Sequence, residues 1–238
     1  MSSPDPVEIR ESHLPRLTLR ACQVAQMAAQ SLADGIAQRN SALWEDIKMH
    51  EEELDSLDRQ VNEDVTNALA RGSGPQAREL LACLKFVLEL ERVGDLLLNV
   101  ANRLETTASR LLSRDTQDLA RMCIIVTSML AGVTQAFSDR NVSKALEVLK
   151  ADAELDRLRN LIFVRHIENP EAVARHESFH IVFMCQALER CGDHAKHLAE
   201  EICHLVSGRS VRHILRDRDL PDEQVYVERM RKSGTNKL

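Results

Sequence analysis

Apolar residues recur at steps of three and four along most of the chain, the spacing that places them on one side of an α-helix. Polar and charged residues fill the positions between them. The pattern predicts six helices, at about 12–38, 41–70, 76–112, 116–138, 142–168 and 171–207.

The apolar pattern of the first half of the chain recurs in the second half. The phrase LERVGD at 90–95 recurs as LERCGD at 188–193, an offset of 98 (188 minus 90), and the apolar stripe around it carries over. The third-helix stripe is Cys83, Val87, Leu90, Gly94, Leu97, Ala101 and Leu104, and its counterpart is Ile181, Cys185, Leu188, Gly192, Ala195, Ala199 and Ile202. The second helix recurs at an offset of 101, which pairs Ile47 with Val148, Leu54 with Leu155, Leu57 with Leu158 and Val61 with Ile162.

The first helix is duplicated as well, because Arg39-Asn40 recurs as Arg140-Asn141 where one helical pattern stops and the next begins. We therefore expect an all-α fold of two tandem three-helix bundles. The expected limits are residues 10–112 and 115–208, followed by a charged C-terminal tail at 209–238.

Each LER phrase puts a glycine inside a helix, where it costs about 1 kcal/mol relative to alanine. Gly94 and Gly192 lie on the apolar stripes. The absence of a side chain there predicts a close approach by a neighbouring helix.

Composition narrows the functional classes. Only 3% of the residues are aromatic, which disfavours strands, and the net charge of −6 argues against nucleic-acid binding. The six cysteines form no C-x-x-C pair, which suits a reducing cytoplasm. The longest apolar run, near MLAGV, is shorter than the ~20 residues that span a bilayer. We expect a cytoplasmic protein that meets membranes only through protein partners.

Acidic residues four apart occur on the second and third helices of both halves. These pairs are Glu51 with Asp55, Glu91 with Asp95, Asp152 with Asp156, and Glu189 with Asp193. Residues at this spacing lie one turn apart, and each pair borders an apolar stripe, so two packed helices would bring four carboxylates together. Clustered carboxylates repel one another and suit hard cations such as Mg²⁺, Mn²⁺ or iron, and zinc is an alternative. Asn99 and His197, one turn further on, could add a ligand.

The segment LERCGDHAKHLAEEICHLVSGRSVRH resembles the last helix of the PhoU family of phosphate-signalling proteins, whose members carry Glu-Arg-x-Gly-Asp-His and a similar Gly-Arg-x-x-Arg-His ending. The duplicated organisation covers about residues 10–213. The resemblance implies two three-helix bundles whose E/D-x-x-x-D motifs bind iron, zinc, manganese or magnesium. One implied site holds Glu51, Asp55, Glu91 and Asp95, and the other holds Asp152, Asp156, Glu189 and Asp193.

The same resemblance implies a non-enzymatic, homodimeric negative regulator of phosphate uptake. Its implied partners are the ATPase subunit of the phosphate ABC transporter and a membrane sensor histidine kinase. Two positions depart from the family pattern: Leu96 stands where the second half has His194, and His197 replaces an expected Asn. They leave the metal and its stoichiometry open.

Two other functions fit parts of the sequence. A helical adaptor without metal would need only the bundles. The segment HESFH at 176–180 matches the H-E-x-x-H of zinc hydrolases, with His176 and His180 as ligands and Glu177 as the base. A further ligand at Glu200 or Glu201 would lie about 30 Å along the same helix, beyond reach of that site.

Overall fold

The computed structural model describes residues 6–40, 42–72, 77–168 and 176–208, with side chains described from residue 13 onward. These ranges form α1 (Pro6–Gln38), α2 (Ala42–Ala70), α3 (Ala77–Thr107), α4 (Ser113–Ser138), α5 (Val142–Phe163) and α6 (His176–Ser207). A 3-10 turn (Ala108–Arg110) follows α3, and a π-helical segment (Val164–Glu168) follows α5. The described residues contain no strand, and the expected all-α fold of two tandem three-helix bundles is confirmed.

The six helices pack in two layers. One layer runs in the order α2, α3, α6, α5, and α1 and α4 lie across it. The bundles meet where α1 packs on α4 and where α3 packs on α6. The bundle limits given above stay a prediction, and the tail at 209–238 lies outside the described residues.

The buried residues form one continuous core that spans both bundles. All fourteen positions of the two predicted stripes are buried, as are the four residue pairs that relate α2 to α5. The six cysteines, all within the described residues, form no disulfide and are buried within this core, where a thiol packs as a small apolar group.

Both bundles end their first helix in the same way. Arg39 and Arg140 adopt left-handed backbone angles, with φ of 52° and 51°. The following asparagines then begin the next helices: Asn40 Oδ1 accepts from the backbone N–H of Ala42 at 3.1 Å, and Asn141 Oδ1 accepts from Lys144 N–H at 3.2 Å.

The end of α5 differs from the expected uninterrupted helix over 142–168. The chain widens into the π-helical segment, which carries Arg165 and buried His166. His166 Nε2 lies 2.9 Å from Asp115 Oδ1, and its Nδ1 lies 3.1 Å from Ser178 Oγ. Arg165 donates to the same Asp115 oxygen at 2.7 Å. These contacts join the starts of α4 and α6 to the end of α5 and account for the change in helical pitch.

Helix α4 is more apolar than the longest apolar run suggests. Among the described helices it is the one whose length and composition would allow it to cross a membrane, although half of its most apolar window is buried inside the fold. It packs against α1, α5 and α6, so apolar residues occupy several of its sides. The central helix of a protein core can also be long and apolar enough to meet this criterion.

The two interior glycines lie where neighbouring helices touch. A Cβ built on Gly94 would lie 2.7 Å from Leu54 Cδ1 and 3.7 Å from the Cα of Glu51. A Cβ on Gly192 would collide with the side chain of Leu155, the repeat counterpart of Leu54. The predicted close approach is therefore confirmed in both bundles.

Replacing Gly94 with alanine should destabilise the chain. The overpacking against buried Leu54 costs about 1–3 kcal/mol, and the gain of about 1 kcal/mol in helix propensity offsets only part of it. We expect a net loss of about 1 kcal/mol in the free energy of unfolding, measured by urea denaturation.

A double-mutant cycle with Leu54→Ala tests the cause of this loss. Leu54→Ala alone leaves a cavity, and the double variant should lose less than the sum of the two single changes. A gain in stability from Gly94→Ala alone would mean that the glycine does not mediate close helix packing.

Candidate functional site

The first acidic cluster lies between α2 and α3, beside the Gly94 contact. Because the Glu51 backbone lies close to Gly94, the side chain of Glu51 is brought near the pair Glu91 and Asp95. Burial raises the pKa of Glu51, and repulsion from Asp55 and Asp95 raises it further. Burial likewise raises the pKa of Glu91, and repulsion from Asp95 and Asp55 raises it further. The four predicted carboxylates therefore interact across the two helices.

A fifth carboxylate, Asp58, joins this cluster and was missed by the sequence analysis. Its Oδ1 is buried and has no hydrogen-bond partner among the described residues. Burial raises the pKa of Asp58, with added repulsion from Asp55, and its charge in turn raises the pKa of Glu91. Its position one turn after Asp55, on the same side of α2, could have indicated it.

Within the described ranges, little positive charge offsets the first cluster. Arg59 Nη1 lies 3.5 Å from Asp55 Oδ2, but the Arg59 side chain is 70% exposed. An ion pair in so much water contributes little. Lys48 and Arg92 only partly oppose the raised pKa values of Glu51 and Glu91. The cluster thus keeps most of its internal repulsion.

The second acidic cluster lies between α5 and α6 and contains its own cations. Lys196 hydrogen-bonds to buried Asp152. Arg159 Nη2 lies 3.3 Å from Asp156 Oδ1 and 3.6 Å from Glu189 Oε1. Burial and the neighbouring carboxylates, with Asp193 first among them, still raise the pKa of Glu189, although Arg159 opposes the shift.

The sequence repeat shows why the second cluster contains more cationic side chains than the first. At the offset of 101, Asp58 of the first half corresponds to Arg159 of the second, and at the offset of 98, Leu98 corresponds to Lys196. The second half therefore has two cations where the first has an acid and a leucine.

A metal ion fits the first cluster better than the second. The first offers clustered carboxylates, the donors that hard cations prefer, and one buried oxygen of Asp58 that has no partner in the described part of the chain. In the second cluster a metal would have to displace Lys196 or Arg159 from the same oxygens. The two additional ligands suggested by the sequence point elsewhere: Asn99 donates to the backbone oxygen of Asp95, and His197 faces Glu89 on α3. Metal binding at both clusters stays a prediction.

The HESFH segment begins α6. The rings of His176 and His180 lie 5.2 Å apart, while Glu177 is ion-paired with Arg110 at 3.5 Å. Within the described residues, no third metal ligand joins this pair of histidines. Burial lowers the pKa of His180, and nearby His176 lowers it further.

Comparison with known proteins identifies the family. A family model described as the PhoU domain matches residues 18–104 and again 119–202. The chain belongs to the PhoU family. The two matches fall on the two bundles, so the resemblance inferred from the LERCGD segment is confirmed and extends to both halves.

Curated relatives and solved structures agree with this assignment. A phosphate-specific transport system accessory protein PhoU homolog of Rhizobium meliloti is 29% identical over 211 residues, covering 83% of this chain and 87% of that protein. A homolog of Caulobacter vibrioides with the same description is 28% identical over 208 residues, covering 83% and 90%.

Two crystal structures share the fold. PhoU from Pseudomonas aeruginosa has a TM-score of 0.76 at 22% identity, covering 84% of this chain and 99% of that one. The phosphate transport system regulatory protein PhoU from Streptococcus pneumoniae has a TM-score of 0.76 at 18% identity, covering 86% and 98%. At these low sequence identities, the similarity to the two crystal structures shows a shared fold alone.

Neutralising Glu91 should stabilise the metal-free chain. Its raised pKa means that the folded state binds this proton more tightly than the unfolded chain, so the charge destabilises the fold at neutral pH. That destabilisation disappears as the pH falls through the raised pKa toward the ordinary value of 4.5. In chelator at pH 7, Glu91→Gln should raise the Tm by about 0.4–2 °C, since relieving a like-charge pair is worth about 0.2–0.5 kcal/mol.

Glu105→Gln is the matched control, because Glu105 is an exposed residue of the same helix. It should leave the Tm nearly unchanged. A lower Tm for Glu91→Gln at pH 7, or an increase that persists at pH 4, would contradict the repulsion described for this cluster.

Proposed function

We propose that this chain is a negative regulator of phosphate uptake and of phosphate-starvation signalling. It acts in the cytoplasm as a homodimer and couples the ATPase subunit of the phosphate ABC transporter to a membrane sensor histidine kinase. Membership of the PhoU family supports the link to phosphate transport, because the matched relatives are named as accessory proteins of that transport system.

The observation that carries the metal-dependent part of the proposal is the uncompensated first acidic cluster. Glu51, Asp55, Asp58, Glu91 and Asp95 would hold the cation, and a bound divalent or trivalent cation would supply the missing positive charge. Burial raises the pKa values of Glu51, Asp58 and Glu91, and repulsion from neighbouring carboxylates raises them further, so a bound cation would offset that repulsion. Because the cluster lies between α2 and α3, occupancy changes the charge that these helices present to a partner.

The second cluster has a more structural role in this proposal. Lys196 and Arg159 already neutralise part of Asp152, Asp156 and Glu189. These ion pairs hold α5 against α6 without a metal. The regulator therefore has one bundle whose surface charge responds strongly to metal and one whose charge responds weakly.

A helical adaptor without any metal is the second candidate function. The observation in its favour is the same pair of cations in the second cluster, since a family site that its own side chains neutralise no longer requires a metal. Metal analysis of protein purified without chelators, compared between wild type and the Glu91→Gln, Asp95→Asn variant, separates the two candidates.

Deletion of the gene tests the regulatory role. At high phosphate, the deletion strain should express alkaline phosphatase constitutively and show unrestrained phosphate uptake, and the wild-type gene should restore control. Normal control in the deletion strain would assign the chain to another pathway.

Complementation with paired variants tests the role of the clusters. Glu91→Gln with Asp95→Asn should abolish metal binding at the first cluster and leave phosphatase expression constitutive. Glu189→Gln with Asp193→Asn should reduce metal content less and restore more control. Glu105→Gln should behave as wild type. Full control by the Glu91 and Asp95 variant, with unchanged metal content, would refute the metal-dependent mechanism.

A further inference from the structure

A different group of ligand atoms lies between α3 and α6. Glu89 of α3 and the histidines His194 and His197 of α6 place one ligand atom each within 4.8 Å of one another. His194 Nδ1 hydrogen-bonds to Glu89 Oε2, and His197 Nδ1 lies 3.6 Å from the same oxygen. Two imidazoles from one helix therefore converge on one carboxylate from another.

This group is separate from the two acidic clusters. Glu89 precedes Glu91 by two residues, which places it about 200° around α3, on the side that faces α6. It also occurs once in the chain: at the offset of 98, the counterparts of Glu89, His194 and His197 are Ala187, Leu96 and Asn99. The group joins α3 of the first bundle to α6 of the second.

The surroundings give a metal ion both partial shielding and access. The side chains of His194, Glu89 and His197 are 11%, 23% and 41% exposed. Beside them opens a cleft of about 420 Å³, lined by polar side chains that include Lys85, Glu89, His197, Glu200, Glu201 and His204. Lys85 is held by Glu201 at 2.9 Å, so this lysine is engaged away from Glu89.

A simple ion pair explains only part of this arrangement. One imidazole would satisfy Glu89 Oε2, yet a second imidazole also turns its Nδ1 toward that oxygen. If both rings were protonated, they would repel each other. A cation between the three groups would use all of the ligand atoms at once.

We propose that Glu89, His194 and His197 form a binding site for a zinc-class divalent transition metal that links the two bundles. Two imidazoles and one carboxylate are a donor set that zinc takes in proteins, with water from the open cleft as a further ligand. Mg²⁺ and Ca²⁺ prefer oxygen ligands and bind imidazole poorly. The site thus differs in metal preference from the acidic clusters, and a bound ion holds α3 against α6.

Metal titration of the full chain tests this proposal. The chelator-stripped protein is titrated with Zn²⁺ against a chromophoric competitor, and in parallel with Co²⁺ while visible absorption is recorded. Wild type should bind Zn²⁺, gain Tm, and give the intense Co²⁺ bands of a low-coordinate, imidazole-containing site. Glu89→Gln and His197→Ala should each weaken Zn²⁺ binding at least about tenfold, because loss of even an outer-shell partner costs that much.

Three control variants locate the bound ion. Glu91→Gln with Asp95→Asn should keep the intense Co²⁺ bands, as should His180→Ala in the HESFH segment and His204→Ala in the cleft. Circular dichroism confirms folding, and Glu89→Gln preserves side-chain size if His197→Ala misfolds. The proposal is overturned if Glu89→Gln and His197→Ala bind Zn²⁺ like wild type, or if only the control variants lose the bands.

Discussion

The packing of a leucine against a glycine, once in each bundle, determines how closely the acid-bearing helices approach. Leu54 contacts Gly94 between α2 and α3, and Leu155 contacts Gly192 between α5 and α6. A Cβ at either glycine would collide with the end of that leucine side chain, so the buried leucine would have to move. The acidic residues flank these contacts along the helices, so the same packing that completes the core also brings like charges together.

The two bundles differ in how much positive charge offsets this repulsion. Among the residues that the structure describes, the first bundle offers its five carboxylates little compensating charge and leaves one buried oxygen of Asp58 without a hydrogen-bond partner. The second supplies Arg159 and Lys196 from within the chain. A duplicated fold has thus diverged electrostatically, and the proposed response to metal is concentrated in the first half. The Glu89, His194 and His197 group lies where the two halves meet, and the duplication does not reproduce it, because the repeat counterparts are Ala187, Leu96 and Asn99.

Much of this architecture could be predicted from the sequence because it repeats within single helices. The apolar stripes, the helix break at Arg39 and Arg140, and the packing role of Gly94 all follow from periodicity. The ion-pair partners of each charged side chain do not follow from periodicity. Which cation reaches Asp152, and whether the Asp58 oxygen is buried, depends on how neighbouring helices pack, which helical spacing does not specify. The π-helical segment near His166 likewise results from contacts with Asp115 and Ser178, which lie on other helices.

Helix packing holds the carboxylates of the first acidic cluster in mutual repulsion, and we propose that a bound cation neutralises them. Carboxyl-carbon NMR titration of the metal-free chain measures this repulsion at individual residues. Glu51, Asp58 and Glu91 should titrate above the ordinary values of their side chains, and saturating metal should abolish that titration. Ordinary pKa values for all three, unchanged by metal, would show that these carboxylates neither repel one another nor bind the ion.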